Sequence, residues 1–190
     1  MSHDIRTFGA VGNGETSCTA AIHSAIDAAA KDGGGTVLVP AGRFLTGAIS
    51  LRSNITLHLE AGATLLGSNR PDDFPLWRSA WEGQADAAKP VQPGRRPMIG
   101  GEGLRNVTIT GRGTIDGAGA FWWKNRLTST PRDVRPTLIR FVDCYNVRIE
   151  GITCTNSPSW TVTPLACDNV SIHGITVINP PASLAIKALG

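Results

Sequence analysis

The chain has 190 residues, of which 41% are apolar and 17% are charged, and this composition is typical of a folded chain with a buried core. A formal net charge of +3, without Lys/Arg runs interleaved with aromatic residues, argues against a nucleic-acid-binding protein. No apolar stretch reaches the roughly 18 residues of a membrane span, and the first residues lack an apolar signal-peptide core. We therefore expect no membrane or nucleic-acid partner. The location is expected to be the cytoplasm, or outside the cell if an export signal has been removed.

One segment near the start has a helical period, although 22 glycines and 12 prolines predict turns and short strands elsewhere. It reads "TAAIHSAIDAAAK" and spans residues 19–31. Its apolar residues recur on one face: Ala21, Ile22, Ala25, Ile26 and Ala29. We expect Thr16, Ser17 or Thr19 to cap the start of this helix, and the glycines at 33–35 to end it.

His23 and Asp27 lie four residues apart on this helix. Residues at this spacing share a face, so the two side chains suit either a metal pair or an ordinary solvated face. The solvated face is favoured because no further ligands lie nearby in the sequence.

Beyond the helix, apolar and polar residues alternate in short segments, which is the pattern of half-buried strands. Four segments share the pattern Asn-[Ile/Val]-x-[Leu/Ile], beginning at Asn54, Asn106, Asn146 and Asn169. The last two begin 23 residues apart, and "CYNVRIEGITCTNSPS" (144–159) aligns with "CDNVSIHGITVINPPA" (167–182). A period of about two dozen residues, with strands and glycine turns, predicts the stacked coils of a parallel β-helix.

The four cysteines are Cys18, Cys144, Cys154 and Cys167. None forms a CxxC motif, so we expect no zinc site. The repeat sets Cys144 beside Cys167 at a strand spacing that is within disulfide range. A pair of stacked thiols is favoured in the absence of an export signal, and a disulfide is the alternative.

We expect a single parallel β-helix domain over residues 1–190, incomplete at its C-terminal end. The helix at about 19–31 is expected to cap the first coil, because an open coil end exposes unpaired strand edges. A Pro-rich insertion at about 69–101 carries Trp77 and Trp81. Either these rings pack the insertion onto the coils, which is favoured, or the insertion builds a binding wall.

Several phrases resemble, in chain order, those of glycoside hydrolase family 28, the polygalacturonase-like enzymes of the pectate-lyase-like superfamily. They are "FGAVGNGET" (8–16), "GGGTVLVPAGRFLTGAISLRSNITLHLEAGATLLGS" (33–68), "GRGTIDGAGAFWW" (111–123), "RPTLIRF" (135–141) and "NSPSWTVTP" (156–164). The resemblance runs from about Ile5 to Ser183. It implies an all-β, right-handed parallel β-helix with one N-terminal capping α-helix. It also implies inverting hydrolysis of a pectic polysaccharide or oligogalacturonide, without a cofactor or metal.

Inverting hydrolysis needs one carboxylic acid and one carboxylate, held about 6.5–9.5 Å apart. In this family the catalytic residues come in an Asn-x-Asp motif and an Asp-Asp pair, followed by Gly-His-Gly and Arg-x-Lys. The first of these motifs comes directly after a phrase that resembles "INPPAS". Here that phrase is followed by "LAIKALG", and no Asp or Glu occurs after Asp168. We therefore expect no catalytic residue in the chain and no activity from it alone.

The remaining acidic and histidine residues are not expected to replace those motifs. Turn positions explain the acidic candidates, which are Asp72, Asp73, Asp116, Asp143 and Asp168. Of these, Asp143 and Asp168 are expected to share a column. His58 and His173 lie in strand repeats and lack the Gly-His-Gly pattern.

Trp160 is the candidate substrate-binding residue, because "SPSWTVTP" precedes the expected catalytic coil. Its ring either stacks on a sugar or packs in a core or loop, and packing is favoured. The alternative functions are a non-catalytic carbohydrate-binding or structural β-helix and, ranked last, a polysaccharide lyase, because no calcium-binding carboxylate cluster occurs. Self-association through the open C-terminal coil is also expected.

Overall fold

A computed structural model of the chain describes residues 2–80, 93–128 and 134–180. The strands are β1 (Ser2–Asp4), β2 (Asn13–Ser17), β3 (Gly35–Val39), β4 (Gly42–Thr46), β5 (Ile49–Ser50), β6 (Ile55–Leu59), β7 (Ala63–Gly67), β8 (Leu76–Trp77), β9 (Gly94–Arg95), β10 (Ile99–Glu102), β11 (Arg105–Gly111), β12 (Thr114–Asp116), β13 (Ile139–Val142), β14 (Tyr145–Glu150), β15 (Thr153–Thr155), β16 (Val162–Leu165), β17 (Asp168–His173) and β18 (Thr176–Ile178). The α-helices are α1 (Thr19–Lys31) and α2 (Gly119–Thr128), and short 3-10 helices span Ile5–Phe8 and Pro71–Asp73.

Three parallel sheets form the body of the molecule. Sheet A has the order β1-β3-β6-β11-β14-β17, sheet B has the order β2-β4-β7-β12-β15-β18, and sheet C has the order β5-β10-β13-β16. In the first coil the chain passes from sheet A to sheet B and then through α1. From β3 onward it visits sheets A, B and C in turn and returns to sheet A one strand further along. These stacked coils confirm the parallel β-helix that the repeat predicted.

Apolar residues at equivalent positions of successive coils form columns, which are buried except at the last coil. In sheet A, the parallel registers align Val37, Leu57, Ile109, Ile149 and Ile172. In sheet B, they align Phe44, Leu65, Ile115, Cys154 and Val177. A single coil has only one layer of such residues, so each coil buries its apolar side chains against its neighbours.

The repeated asparagines stand at the turn from sheet C to sheet A. Each has a positive φ, between 55° and 63°, which Asn tolerates better than most residues. Their side chains also form a ladder between coils. Nδ2 of Asn106 donates to Oδ1 of Asn54 at 2.8 Å, Asn146 donates to Asn106 at 2.8 Å, and Asn169 donates to Asn146 at 3.1 Å. The repeat therefore marks both a left-handed backbone position and an amide chain.

The first coil is covered by α1. Its buried residues are Ile22, Ala25, Ile26 and Ala29, and the helix packs against β1, β3 and β5. The residue before the helix is Cys18, and it makes no side-chain capping hydrogen bond. The expected cap by Thr16, Ser17 or Thr19 is therefore wrong. The Thr19 hydroxyl instead accepts a hydrogen bond from the Gly47 N–H at 2.8 Å. Because Gly47 directly follows β4, this bond links the start of the helix to sheet B.

A solvated face was expected for His23 and Asp27, and this is correct for Asp27 but not for His23. Asp27 is exposed and pairs with Arg52 at 3.2 Å. His23 is half-buried, and its Nε2 accepts a hydrogen bond from the Ser50 N–H at 3.1 Å. Burial lowers the pKa of His23; Asp27 opposes this shift, whereas Arg52 and Arg96 add to it. The imidazole thus links the capping helix to sheet C as a neutral acceptor.

Two further expectations need correction. The insertion does not extend to Gly101, because β10 begins at Ile99 and belongs to sheet C. Asp143 and Asp168 do not share a column, because the β14–β17 register pairs Tyr145 with Asp168. Repeats that are 23 residues apart cannot align two aspartates that are 25 apart.

All four cysteines are free thiols in the structure. This agrees with the favoured expectation that Cys144 and Cys167 are stacked thiols. Neither α1 nor α2 is long and apolar enough to cross a membrane, as judged over the described residues.

Candidate functional site

Sheet C has an outer surface that combines basic and aromatic side chains. Its inward row aligns Ile49, Ile99, Ile139 and Val162, and its outward row aligns Ser50, Gly100, Arg140 and Thr163. Gly100 is buried in this row, and a Cβ there would meet the Arg140 carbonyl oxygen and the Pro97 ring. We call the surface formed by Ser50, Trp77, Arg96 and Arg140 the sheet C face.

Two arginines meet one tryptophan on the sheet C face. Trp77 lies at the end of β8, which pairs with β9 in a small antiparallel ribbon. Cζ of Arg96 lies 5.6 Å from the ring centroid of Trp77, and Cζ of Arg140 lies 5.8 Å from it. Cation–π attraction at this range helps to hold the guanidinium groups in place. Trp77 therefore packs the insertion onto the coils, as favoured; Trp81 lies outside the described residues.

Hydrogen bonds of the Arg95 side chain hold the ribbon in place. Its Nη1 donates to the carbonyl oxygens of Pro71 at 2.8 Å and Phe74 at 2.9 Å, and its Nε donates to that of Val134 at 2.9 Å. Phe74 is buried and meets the buried ring of Trp122 edge-on, with centroids 5.6 Å apart. These contacts give the ribbon a fixed position beside sheet C.

Trp160 is 75% exposed. The expectation that its ring packs in a core or loop is therefore wrong, and the ring is accessible to a ligand. Its backbone is held nonetheless, because its carbonyl oxygen accepts a hydrogen bond from the Leu138 N–H at 2.9 Å, next to the start of β13. The backbone of Trp160 thus lies beside sheet C, next to the first residues of β13.

The loop before Trp160 is held by several polar contacts. Arg135 Nη1 donates to the Pro158 carbonyl oxygen at 2.6 Å, and the Ser159 hydroxyl donates to that of Pro136 at 2.8 Å. Trp123 Nε1 donates to the Ser157 carbonyl oxygen at 3.1 Å. An exposed aromatic ring on a fixed loop loses little conformational entropy when a ligand stacks on it.

The acidic side chains needed for hydrolysis do not meet on this face. The four strands of sheet C contain one acidic residue, Glu102, whose Oε1 accepts a hydrogen bond from the Ala80 N–H at 2.7 Å. Inverting hydrolysis requires two carboxyl groups, so these strands do not supply the reaction. The described part of the chain likewise contains no group of three or more His, Cys, Asp or Glu side chains that fits a metal ion.

The other candidate residues have structural partners or lie elsewhere. Oδ1 of Asp116 accepts hydrogen bonds from the Ala118 N–H and from Nδ2 of Asn156, both at 3.0 Å, as expected of a turn residue. Oδ2 of Asp73 accepts from the Ser68 hydroxyl at 2.5 Å. His58 lies on sheet A, as does His173, which contacts Glu150 at 2.9 Å.

Sequence reasoning named Trp160 as a candidate, which stays a prediction, and missed the pairing of Trp77 with Arg96 and Arg140. The alternation in "LIRFV" does predict an outward Arg140. No periodicity links it to Trp77, which is 63 residues earlier in the chain.

The coils and the sheet C face together define a parallel β-helix protein with a basic, aromatic surface on one sheet. The model of glycosyl hydrolases family 28 matches residues 32–185. The chain belongs to this family. Its coil is right-handed, as expected of the fold.

Similar proteins agree with this assignment. A "Probable polygalacturonase" of Vitis vinifera is 39% identical over 166 residues, which are 83% of this chain and 33% of that protein. The "Exo-poly-alpha-D-galacturonosidase" of Dickeya chrysanthemi is 36% identical over 157 residues, which are 80% of this chain and 25% of that protein. The chain therefore spans between a quarter and a third of these relatives.

A solved structure shows the same fold. The hyperthermoactive exopolygalacturonase from Thermotoga maritima superposes with a TM-score of 0.81 at 28% identity. The superposition covers 96% of this chain and 48% of that one.

Proposed function

We propose that the chain contributes the N-terminal coils of a polygalacturonase-type hydrolase, and that its sheet C face binds the acidic pectic polymer. The observation that carries the proposal is the pairing of Arg96 and Arg140 with Trp77 on sheet C of a family 28 β-helix, beside the loop that carries the exposed Trp160. Guanidinium groups attract galacturonate carboxylates, and a tryptophan ring stacks on the apolar face of a sugar.

The coil repeat supports this choice of face. Asn156 and Asn179 are equivalent positions in successive coils, and β16 begins six residues after Asn156. In the family, the first catalytic motif follows a phrase like "INPPAS". A motif in that position would come next in sheet C, beside β16 and close to Thr163. The polymer would then lie across the outer rows of sheet C, with Arg140 and Trp160 about one or two coils from the reacting bond, at roughly 5 Å per coil.

The described residues have a binding surface but no pair of carboxyl groups on it, so the 190-residue protein is expected to bind without turnover. The test follows oligogalacturonate binding by tryptophan fluorescence and by calorimetry, at low and high salt. Trp160→Ala is expected to weaken binding about tenfold, the equivalent of about 1.4 kcal/mol. Arg96→Gln is expected to weaken it mainly at low salt, because the attraction between a partly exposed charge and the polymer is screened at higher ionic strength.

The matched control is Arg148→Gln, which removes the same charge from the exposed surface of sheet A. Equal losses for Arg96→Gln and Arg148→Gln would show that net charge alone drives binding, and would reject the sheet C face. Release of new reducing ends from polygalacturonate by the 190-residue protein would contradict the expected lack of turnover. Ultraviolet absorbance of an unsaturated product would favour a lyase instead.

A further inference from the structure

Cys144 and Cys167 occupy equivalent turns of two successive coils. Cys144 follows β13 and precedes β14, whereas Cys167 follows β16 and precedes β17. The β14–β17 register pairs the next residues, Tyr145 and Asp168, and the Asp168 N–H donates to the Cys144 carbonyl oxygen at 2.9 Å. Neighbouring parallel strands are about 4.8 Å apart, and disulfides join Cα atoms that are about 4.4–6.8 Å apart.

The two thiols also point in the same direction. Cys144 Sγ donates to the Val142 carbonyl oxygen at 3.2 Å, and Cys167 Sγ donates to the equivalent carbonyl oxygen of Leu165 at 3.4 Å. Cys167 Sγ also reaches back to the Phe141 carbonyl oxygen at 3.5 Å, in the coil of Cys144. On the other side of Cys144 the equivalent residue is Leu104, whose N–H donates to the Cys144 sulfur at 3.4 Å. The two thiols are therefore neighbours in successive coils, each with the other as its cysteine neighbour.

We propose that Cys144 and Cys167 form a disulfide that staples these two coils together under oxidising conditions. The bond would join the turns that directly follow β13 and β16, which are adjacent strands of sheet C. These strands carry Arg140 and adjoin Trp160. The disulfide therefore fixes the register of the two coils that shape the sheet C face.

The order of the reaction follows from exposure. Cys144 is 2% exposed, and burial raises its pKa to about 11, whereas Cys167 is half-buried. The Cys167 thiolate reacts first with a small disulfide oxidant such as oxidised glutathione, forming a mixed disulfide and releasing one glutathione thiolate. The Cys144 thiolate then attacks the Cys167 sulfur and releases the second glutathione. Both cysteines lose their protons to solvent, the protein is oxidised by two electrons, and one oxidised glutathione is reduced.

The test exposes the folded protein to oxidised glutathione and counts its thiols, with peptide mapping by mass spectrometry. The count is expected to fall from four to two, and the linked peptides are expected to contain residues 144 and 167. The oxidised protein is expected to have a higher Tm than the reduced one, because the link restricts the unfolded chain. Cys167→Ser and Cys144→Ser are each expected to abolish the link.

Cys154→Ser is the matched control. Cys154 is buried like Cys144, but its register neighbours are Ile115 and Val177, so this variant is expected to form the link normally. Four free thiols after exposure, with denatured protein oxidised under the same conditions, would overturn the proposal. A link that includes Cys154 or Cys18 would also overturn it. A link present without any rise in Tm would reject the stapling role.

Discussion

The asparagines of the turn into sheet A perform two tasks at once. Their positive φ values suit Asn, and their amides join neighbouring coils. Asn146 is central to the ladder, since it donates to Asn106 and accepts from Asn169. Substitutions that separate the backbone conformation from the amide hydrogen bonds therefore measure both contributions.

We expect Asn146→Ala to lower the free energy of unfolding by about 2 kcal/mol, because it loses two hydrogen bonds and places alanine in a left-handed conformation. Asn146→Gly keeps the favourable conformation and is expected to cost about 1 kcal/mol less than the alanine variant. Urea denaturation measures both. Equal costs would show that the backbone conformation contributes nothing at this turn.

His23 makes stability depend on pH in a defined direction. Burial lowers its pKa from the ordinary value of 6.5, so the unfolded chain takes up a proton at a higher pH than the folded protein. The contribution of neutral His23 is complete above about pH 6.5, and it is lost as the pH falls through the folded-state pKa. Protonation also removes the acceptor of the Ser50 N–H.

Denaturation at about pH 7.5 and about pH 5 tests this prediction. The protein is expected to lose more stability on acidification than the variant His23→Gln, whose amide oxygen can accept the same hydrogen bond without titrating. This comparison removes the contribution of every group that the two proteins share. Identical losses in both proteins would exclude His23 as the source.

At the scale of the element, α1 shows how a sequence pattern becomes a cap. Its apolar face lies on the open end of the first coil, and Ile22 is completely buried there. Ser24 lies on the same helix and is exposed. The helix therefore contributes to stability through one face, and its solvent side contributes mainly intrinsic propensity.

We expect Ile22→Ala to lower the free energy of unfolding by about 2–4 kcal/mol, because it removes buried methylene and methyl groups and leaves a cavity under the cap. Ser24→Ala is the control and is expected to change stability by less than about 0.5 kcal/mol. Chemical denaturation followed by circular dichroism measures both. A cost for Ile22→Ala as small as that of the control would mean that α1 does not cover the core.

At the scale of the whole molecule, the two ends of the β-helix differ. The first coil is covered by α1, whereas β17 and β18 are the last strands of sheets A and B in the described part of the chain. Apolar side chains are exposed there: Ile172 is 39%, Val177 is 50% and Ile178 is 58% exposed. Unpaired strand edges next to apolar side chains favour contact with another copy.

We expect the 190-residue protein to self-associate through this end. Its sedimentation coefficient should rise with concentration, and Val177→Lys should shift the protein toward the monomer by adding a charge to the contact. Val11→Lys is the control, since Val11 is 46% exposed but lies before α1, at the capped end. A monomer at every concentration, or equal effects of the two variants, would refute association through β17 and β18.

The amino-acid sequence by itself determined the coils, their period, the capping helix and the family. These features come from patterns that repeat along the chain: Asn at each turn, alternation in each strand, and one amphipathic segment. Stacking amplifies such local patterns, because every coil repeats the same environment. Helix capping could not be predicted in the same way, since tertiary contacts engage the Thr19 hydroxyl with Gly47.

The sheet C face was decided only by the tertiary structure. Trp77 and Arg96 come from an insertion, and Arg140 comes from a later coil. Trp160 is exposed on a loop that Arg135 holds through the Pro158 carbonyl oxygen. Trp77 and Arg96 lie outside the coil repeat, and they meet Arg140 because the insertion packs onto the stacked coils. Neither hydrophobic alternation nor spacing in the chain predicts these contacts. The insertion is positioned by the packing of Phe74 against Trp122 and by the hydrogen bonds of Arg95.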